Sequence, residues 1–143
     1  MSFRTSREIP ADPASVFAAF ADPVRLATWW GPAGFTNTFE TCEFRIGGRW
    51  RFVMHGPDGK GYRNESAFRE IEPGKRIVIE HVSHPHYVLA IDLETTDSGG
   101  TRVHWEQTFE NPKAEAGLAS IVVPANEQNL DRLSAEVLHG QAT

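Results

Sequence analysis

Turn signals divide the middle of this chain into short segments, and this division constrains its fold most. They recur every eight to twelve residues after Phe35 and tolerate positive φ or preset a turn, as at Gly47-Gly48, Pro57-Asp58-Gly59, Pro73-Gly74 and Ser98-Gly99-Gly100. The spacing predicts antiparallel strands near residues 35–44, 49–55, 61–71, 76–83, 86–96 and 101–110. With an alternating first strand from Phe3 to Ile9, the count is seven.

Helical signals lie on both sides of this run of strands. Ala-Asp-Pro begins at Ala11 and again at Ala21, and each aspartate can cap a helix whose first position is proline. We therefore expect two short helices after strand 1. After residue 112 the period becomes helical, with an apolar stripe of Leu118, Ile121, Val122, Ala125, Leu130, Leu133 and Val137. Pro124 predicts either a kinked helix or a short helix followed by a main one from about 125 to 139.

Length and composition restrict the class of protein. The 143 residues match one domain, which we expect to span 1–143, and the apolar fraction of 40% includes no run long enough to cross a membrane. No secretory signal is evident, so we expect a cytoplasmic protein. The net charge is −5 and the 14 basic residues are scattered, so neither nucleic acid nor membrane insertion is expected. Cys42 is alone and reads as a buried strand residue.

Strand parity predicts an aromatic inner face. Alternate residues of a strand lie on opposite faces, so Trp50, Phe52 and Met54 share one face of the third strand, and Trp105 and Gln107 share one face of the seventh. One helix laid across a curved sheet cannot fill its whole concave side. The pattern favours an open apolar cavity over the alternative, a solid core of interdigitating aromatic side chains.

Two segments carry a resemblance to a known family. They are ADPVRLATWWGPAGFTNTFET, residues 21–41, and RIGGRWRFVMHGPDGKGY, residues 45–62. Both resemble the activator of heat-shock-protein-90 ATPase homologue-like family of the SRPBCC superfamily, as do residues 68–81 and 101–109. The resemblance implies an α+β helix-grip fold, START/Bet v 1-like, with a curved antiparallel sheet of about seven strands around a long C-terminal helix. Two short helices after strand 1 would close one end of a hydrophobic cavity.

The activity of the eukaryotic co-chaperones with that name is not extended to this chain. Those proteins carry an additional N-terminal domain that engages the chaperone, whereas the first strand is expected here at Phe3.

Several polar residues are candidates for catalytic or metal-binding groups. His81, His84 and His86 could suggest a metal, but Pro85 turns the chain between them and no ligand set is spaced nearby, so no metal site is predicted. Parity places Glu80, Glu94 and Glu106 on the solvent face, and their arrangement indicates no particular reaction. No phosphate-binding loop or dinucleotide fingerprint is present, so no cofactor is expected and catalytic residues stay unknown.

The leading hypothesis is binding of a small apolar or amphipathic molecule in an internal cavity. The candidate ligand-binding residues are Trp29, Trp30, Phe35, Trp50, Phe52, Met54, Tyr62, Ser66, Phe68, His81, Leu89, Trp105 and Gln107. One alternative is an enzyme of the polyketide-cyclase or hydrolase kind that uses His81 or Tyr62 as an acid–base group. A further alternative is a chaperone-associated or regulatory interaction module, and the sequence leaves homodimer formation open.

Overall fold

The computed structural model describes residues 2–110 and 112–141, with side chains given for 2–110 and 117–139. Its strands are β1 (Phe3–Ile9), β2 (Thr36–Cys42), β3 (Arg49–His55), β4 (Gly61–Glu72), β5 (Arg76–His81), β6 (Tyr87–Thr95) and β7 (Thr101–Phe109), and its helices are α1 (Pro13–Ala21), α2 (Pro23–Trp29) and α3 (Pro112–Gln141). The turn pattern thus predicts every strand to within two residues at each end.

All seven strands form one antiparallel sheet in the order β1-β7-β6-β5-β4-β3-β2. Only β1 departs from a simple meander, because it pairs with β7 while α1 and α2 lead the chain to the opposite edge at β2. Bulges lie between Phe39 and Thr41 and between Phe68 and Glu70. A bulge increases local twist and bends the strand, which helps the sheet to wrap a helix.

The two short helices begin as their sequence predicts. The Asp12 carboxylate accepts a hydrogen bond from the Ser15 amide at 2.8 Å, and the Asp22 carboxylate accepts one from the Val24 amide at 3.0 Å. Proline follows each aspartate at the first helical position, where a missing N–H leaves no bond unmade. Asp22 also ends α1, so the two helices meet at a single residue.

α3 is one continuous helix that contains Pro124, which excludes the alternative of two separate helices. Its second half carries the expected buried stripe of Leu130, Leu133 and Val137. It packs against β1, β7, α1 and α2. The prediction that Ile121 belongs to the apolar stripe facing the core is wrong, because its exposed fraction is 63%. The described part of the chain offers no helix with the combination of length and apolarity that a membrane span requires.

Candidate ligand-binding site

The inner face of the sheet holds a continuous set of aromatic rings, called here the aromatic cluster. Trp30 lies at its centre, with its ring centroid 4.9 Å from that of Trp50 and 6.1 Å from that of Trp105. Trp50 in turn stacks on Phe52 at 4.5 Å. The members of the cluster are Trp29, Trp30, Phe39, Trp50, Phe52, Phe68 and Trp105. Parity therefore predicts correctly that Trp50 and Trp105 are buried, with exposed fractions of 0% and 2%.

These rings pack on one another, which matches the solid-core alternative better than a wide chamber. Four clefts formed by described residues lie at the surface, and most of the side chains that line them are outside the aromatic cluster. The largest, about 440 Å³, lies between the end of α2 and the last turns of α3 and reaches only Trp29 among the cluster. None of these four clefts is the aromatic-lined cavity that the sequence predicts.

The segment that presents Trp30 is held by the second half of α3. The Arg132 guanidinium donates to the carbonyl oxygens of Thr28, Trp30, Gly31 and Pro32 at 2.8–3.1 Å. The Gly31 amide donates to the Asn129 side-chain oxygen at 3.1 Å. Gly31 has a φ of +96°, and a Cβ there would lie 2.8 Å from Met54 Cε, so a side chain at this position would be strained and crowded.

Burial decreases along β3 and β4 toward one end of the concave face, called here the open end. Phe52 is 3% exposed, the next inward residue Met54 is half-buried, and its partner Tyr62 is 45% exposed. The Tyr62 ring lies 6.3 Å from that of Phe35, and its hydroxyl donates to Asp58 at 3.4 Å. Sequence-predicted residues therefore reach from the buried cluster to the solvent at this end.

A polar network lies beside the open end and centres on His81. His81 Nδ1 is 2.7 Å from the Pro85 carbonyl oxygen, so this nitrogen carries a proton and donates. Nε2 is 2.7 Å from the Asn64 amide oxygen and 3.2 Å from the Ser83 hydroxyl. The ring stacks on Tyr87 with centroids 4.5 Å apart. Burial lowers the pKa of His81, so the neutral ring predominates at neutral pH. With its proton on Nδ1, the ring accepts at Nε2 from the Ser83 hydroxyl, whereas the contact of Nε2 with the Asn64 oxygen brings two acceptors together.

This network gives His81 no carboxylate partner among the described residues. Both ring nitrogens of His81 face a carbonyl oxygen or a neutral side chain, and the Tyr62 hydroxyl is bound to Asp58. His86 points the other way and bonds Glu80 at 2.7 Å, so the three histidines do not converge. Within the described residues no group of three potential ligands could hold a metal ion.

The first half of α3 extends toward the open end. Asn126 Nδ2 donates to Gln107 Oε1 at 3.1 Å, and Thr5 Oγ1 donates to Glu127 at 2.6 Å, which fixes the helix over β7 and β1 at this level. Further along α3, Asp131 accepts a hydrogen bond from Arg7, which lies two residues after Thr5 on β1. From Asn126 onward the helix therefore runs away from the open end. The turns before Asn126 therefore run in the opposite direction, toward the end of the sheet that carries Tyr87.

The comparisons with known proteins agree with this architecture. Residues 10–137 match the model of the family described as Activator of Hsp90 ATPase homolog 1-like protein. The chain belongs to the Activator of Hsp90 ATPase homolog 1-like family. A search of curated proteins finds no significant match.

Solved structures share the fold of this family member. A protein from Arthrobacter aurescens has a TM-score of 0.88 at 28% identity, over 96% of this chain and 86% of the other. A protein from Nitrosomonas europaea has a TM-score of 0.84 at 21% identity, over 100% and 97%. The AHSA1 protein from Silicibacter pomeroyi has a TM-score of 0.78 at 21% identity, over 98% and 99%. The SRPBCC assignment and the helix-grip fold are thus confirmed.

The family fold brings together further residues that the sequence did not single out as site residues. Phe39 contacts both Trp50 and Phe52 with ring centroids 5.5 Å apart, and Tyr87 joins His81 to Phe109. Alternation along β2 and β6 could have indicated both. Asn126 lies four residues before Leu130, so the buried stripe of α3 could have included it. The remaining predicted residues Ser66, Phe68, Leu89 and Gln107 are all buried on the inner face.

Two indole N–H groups of the aromatic cluster have no acceptor. Nε1 of Trp50 and Nε1 of Trp105 are buried without a hydrogen-bond partner among the described residues. By contrast, Trp29 Nε1 donates to the Ala19 carbonyl oxygen at 2.9 Å. An unpaired buried donor costs about 1–3 kcal/mol. Such donors are rare in native proteins, and each one needs a physical reason.

Proposed function

We propose that this family member binds a small apolar or amphipathic molecule between the concave face of its sheet and the first half of α3. The apolar body of the ligand lies against the open end and reaches the aromatic cluster. Membership of a superfamily whose fold holds ligands supports this assignment in general terms. The observation that carries it for this chain is the apolar surface left accessible on both sides of the open end.

On the sheet side, that surface consists of half-buried Met54 and exposed Tyr62, which continue the buried row of Phe52. On the helix side, Leu118 and Val122 are half-buried on the turns of α3 that extend toward the same end of the sheet. Apolar side chains that are left partly exposed gain free energy when a third apolar body covers them, at roughly 25 cal/mol per Å² buried.

The hydrogen-bond ladder of α3 is interrupted over this end. Pro124 has no N–H to donate to the Ser120 carbonyl, so one backbone hydrogen bond of α3 is missing there. This position lies two residues before Asn126, which is bonded to Gln107 of the sheet. The second half is fixed by buried Leu130 and Leu133, whereas Leu118 and Val122 are only half-buried. Entry of a ligand therefore requires displacement of one end of α3 and leaves the packed half in place.

Binding is tested with two exposed side chains, one at the open end and one away from it. Tyr62 is 45% exposed at the open end, and Ile46 is 65% exposed in the turn between β2 and β3. Naphthalene, anthracene, pyrene and a graded series of fatty acids are titrated into the wild type and into the Tyr62→Asp and Ile46→Asp variants by calorimetry and tryptophan fluorescence. A large apolar side chain contributes about 1.5–3 kcal/mol when buried, so Tyr62→Asp should weaken binding at least about tenfold.

Ile46→Asp should bind like the wild type, since its side chain is away from the open end. Both variants should keep the wild-type urea midpoint because both positions are exposed. The proposal is wrong if the folded wild type binds none of the probes, or if the two variants lose affinity equally.

A further inference from the structure

The two unpaired indole N–H groups belong to the same buried region. Trp50 lies on β3 and Trp105 on β7, both on the inner face, and the ring of Trp30 contacts both. Each N–H is a donor that cannot also accept a hydrogen bond. Because the rings pack on one another, a molecule that satisfied either one would have to displace part of the aromatic cluster and supply an oxygen or nitrogen acceptor there.

The neighbours of the two indoles are uncharged. On adjacent strands Trp50 pairs with Cys42 and Ser66, and Trp105 pairs with Thr5 and Ile91. Burial raises the pKa of Cys42 to about 11, so this thiol is neutral as well.

Arg7 on β1 and Arg132 on α3, which lie near this face, have other partners. Arg7 forms ion pairs with Glu127 and Asp131 at 3.1 and 2.6 Å. Arg132 donates to the carbonyl oxygens at the end of α2. A carboxylate placed among the tryptophan rings would lose its hydration with neither guanidinium free to replace it.

We propose that the ligand is an electrically neutral molecule with an apolar body and a carbonyl or ether oxygen that accepts from Trp50 Nε1 or Trp105 Nε1. This inference rests on the proposed function and names the chemical class of its ligand. The neutral oxygen accepts a hydrogen bond from an indole N–H that has no acceptor among the described residues, whereas a hydrocarbon cannot. An anion of the same length carries a charge that the site does not compensate.

The inference is tested with three probes of equal chain length: decane, 2-decanone and decanoate. Each is titrated into the ¹⁵N-labelled 143-residue chain, and the indole N–H signals are followed by NMR, with assignments from single Trp→Phe variants. The ketone should shift the Trp50 or Trp105 signal downfield. The Trp29 signal is the internal control and should stay in place, because its N–H is bound to Ala19.

Affinity provides the second measurement. We expect 2-decanone to bind about tenfold more tightly than decane, as one added hydrogen bond predicts, and decanoate to bind most weakly. Trp50→Phe or Trp105→Phe should abolish the preference for the ketone while decane still binds, since the aromatic ring is retained. The NMR shift in the wild type supports the inference even if a variant fails to fold.

The outcomes separate this inference from the proposed function. If decane and 2-decanone bind equally and no indole signal moves, the protein binds apolar molecules but the neutral-acceptor inference is overturned. Tightest binding of decanoate also overturns it. If none of the three probes binds to the folded wild type, the proposed function itself fails and the inference fails with it.

Discussion

Arg132 should contribute more to stability than any exposed arginine of this chain, because its guanidinium holds the end of α2. Nη1 donates to the carbonyl oxygens of Trp30, Gly31 and Pro32, and Nη2 donates to that of Thr28. The last carbonyls of a helix lack partners within the helix and carry a partial negative charge. Arg132→Met keeps much of the apolar stem but leaves these carbonyls without the charged donor.

The size of the effect follows from the number of independent N–H groups. The three bonds of Nη1 share one nitrogen and count as about one charged hydrogen bond, which contributes about 1.5–3 kcal/mol. The bond from Nη2 to Thr28 is exposed and adds less. We expect Arg132→Met to lower the free energy of unfolding by about 2–3 kcal/mol. In urea this corresponds to a midpoint lower by about 1 M.

The assay is equilibrium unfolding in urea, followed by tryptophan fluorescence and circular dichroism. Arg132→Lys keeps the charge but loses the planar fork, so it should recover only part of the loss. Arg4→Met is the matched control: the Arg4 side chain is 77% exposed in its ion pair with Glu106, and its removal should change stability by less than about 0.5 kcal/mol. A midpoint for Arg132→Met equal to that of the control would refute the reasoning.

Three further predictions concern single groups. Asp12→Ala and Asp22→Ala should each lower the urea midpoint, because each removes a cap; unchanged midpoints contradict this. Burial lowers the pKa of His81, so the unfolded chain binds more protons below about pH 6.5 and acidification to pH 5.5 should lower the free energy of unfolding. His81→Gln should reduce this dependence, and identical pH curves would count against it. Burial raises the pKa of Cys42 to about 11, so native protein should react with a disulfide reagent more than about 100-fold slower than urea-unfolded protein; equal rates would show an accessible thiolate.

Much of the candidate site follows from local pattern. The side chains of Trp50, Phe52 and Trp105 are buried as parity predicts, because alternation across a strand depends only on the backbone of that strand. Parity does not predict depth. Tyr62 shares the face of Phe52 and is nevertheless 45% exposed, because what covers a strand residue belongs to distant parts of the chain.

The polar contacts of the site could not be predicted in this way. Arg132 lies about 100 positions after the carbonyls to which it donates, and Asn64 lies 17 positions before His81. No spacing rule connects such residues. Ile121 is a different case: it lies nine positions, or two and a half helical turns, before buried Leu130, so its side chain is on the opposite side of α3 and is exposed.

The sequence by itself determined the seven strands, the two capped helices and the aromatic inner face, because turns, caps and alternation are set by residues close together along the chain. Only the tertiary structure decided that the rings pack on one another and that the face of β3 and β4 becomes accessible at Met54 and Tyr62. It also decided that, within the part of the chain that the structure describes, the Trp29 indole has an acceptor while those of Trp50 and Trp105 have none. These features depend on contacts between elements remote in sequence, where a displacement of one ångström makes or breaks a hydrogen bond.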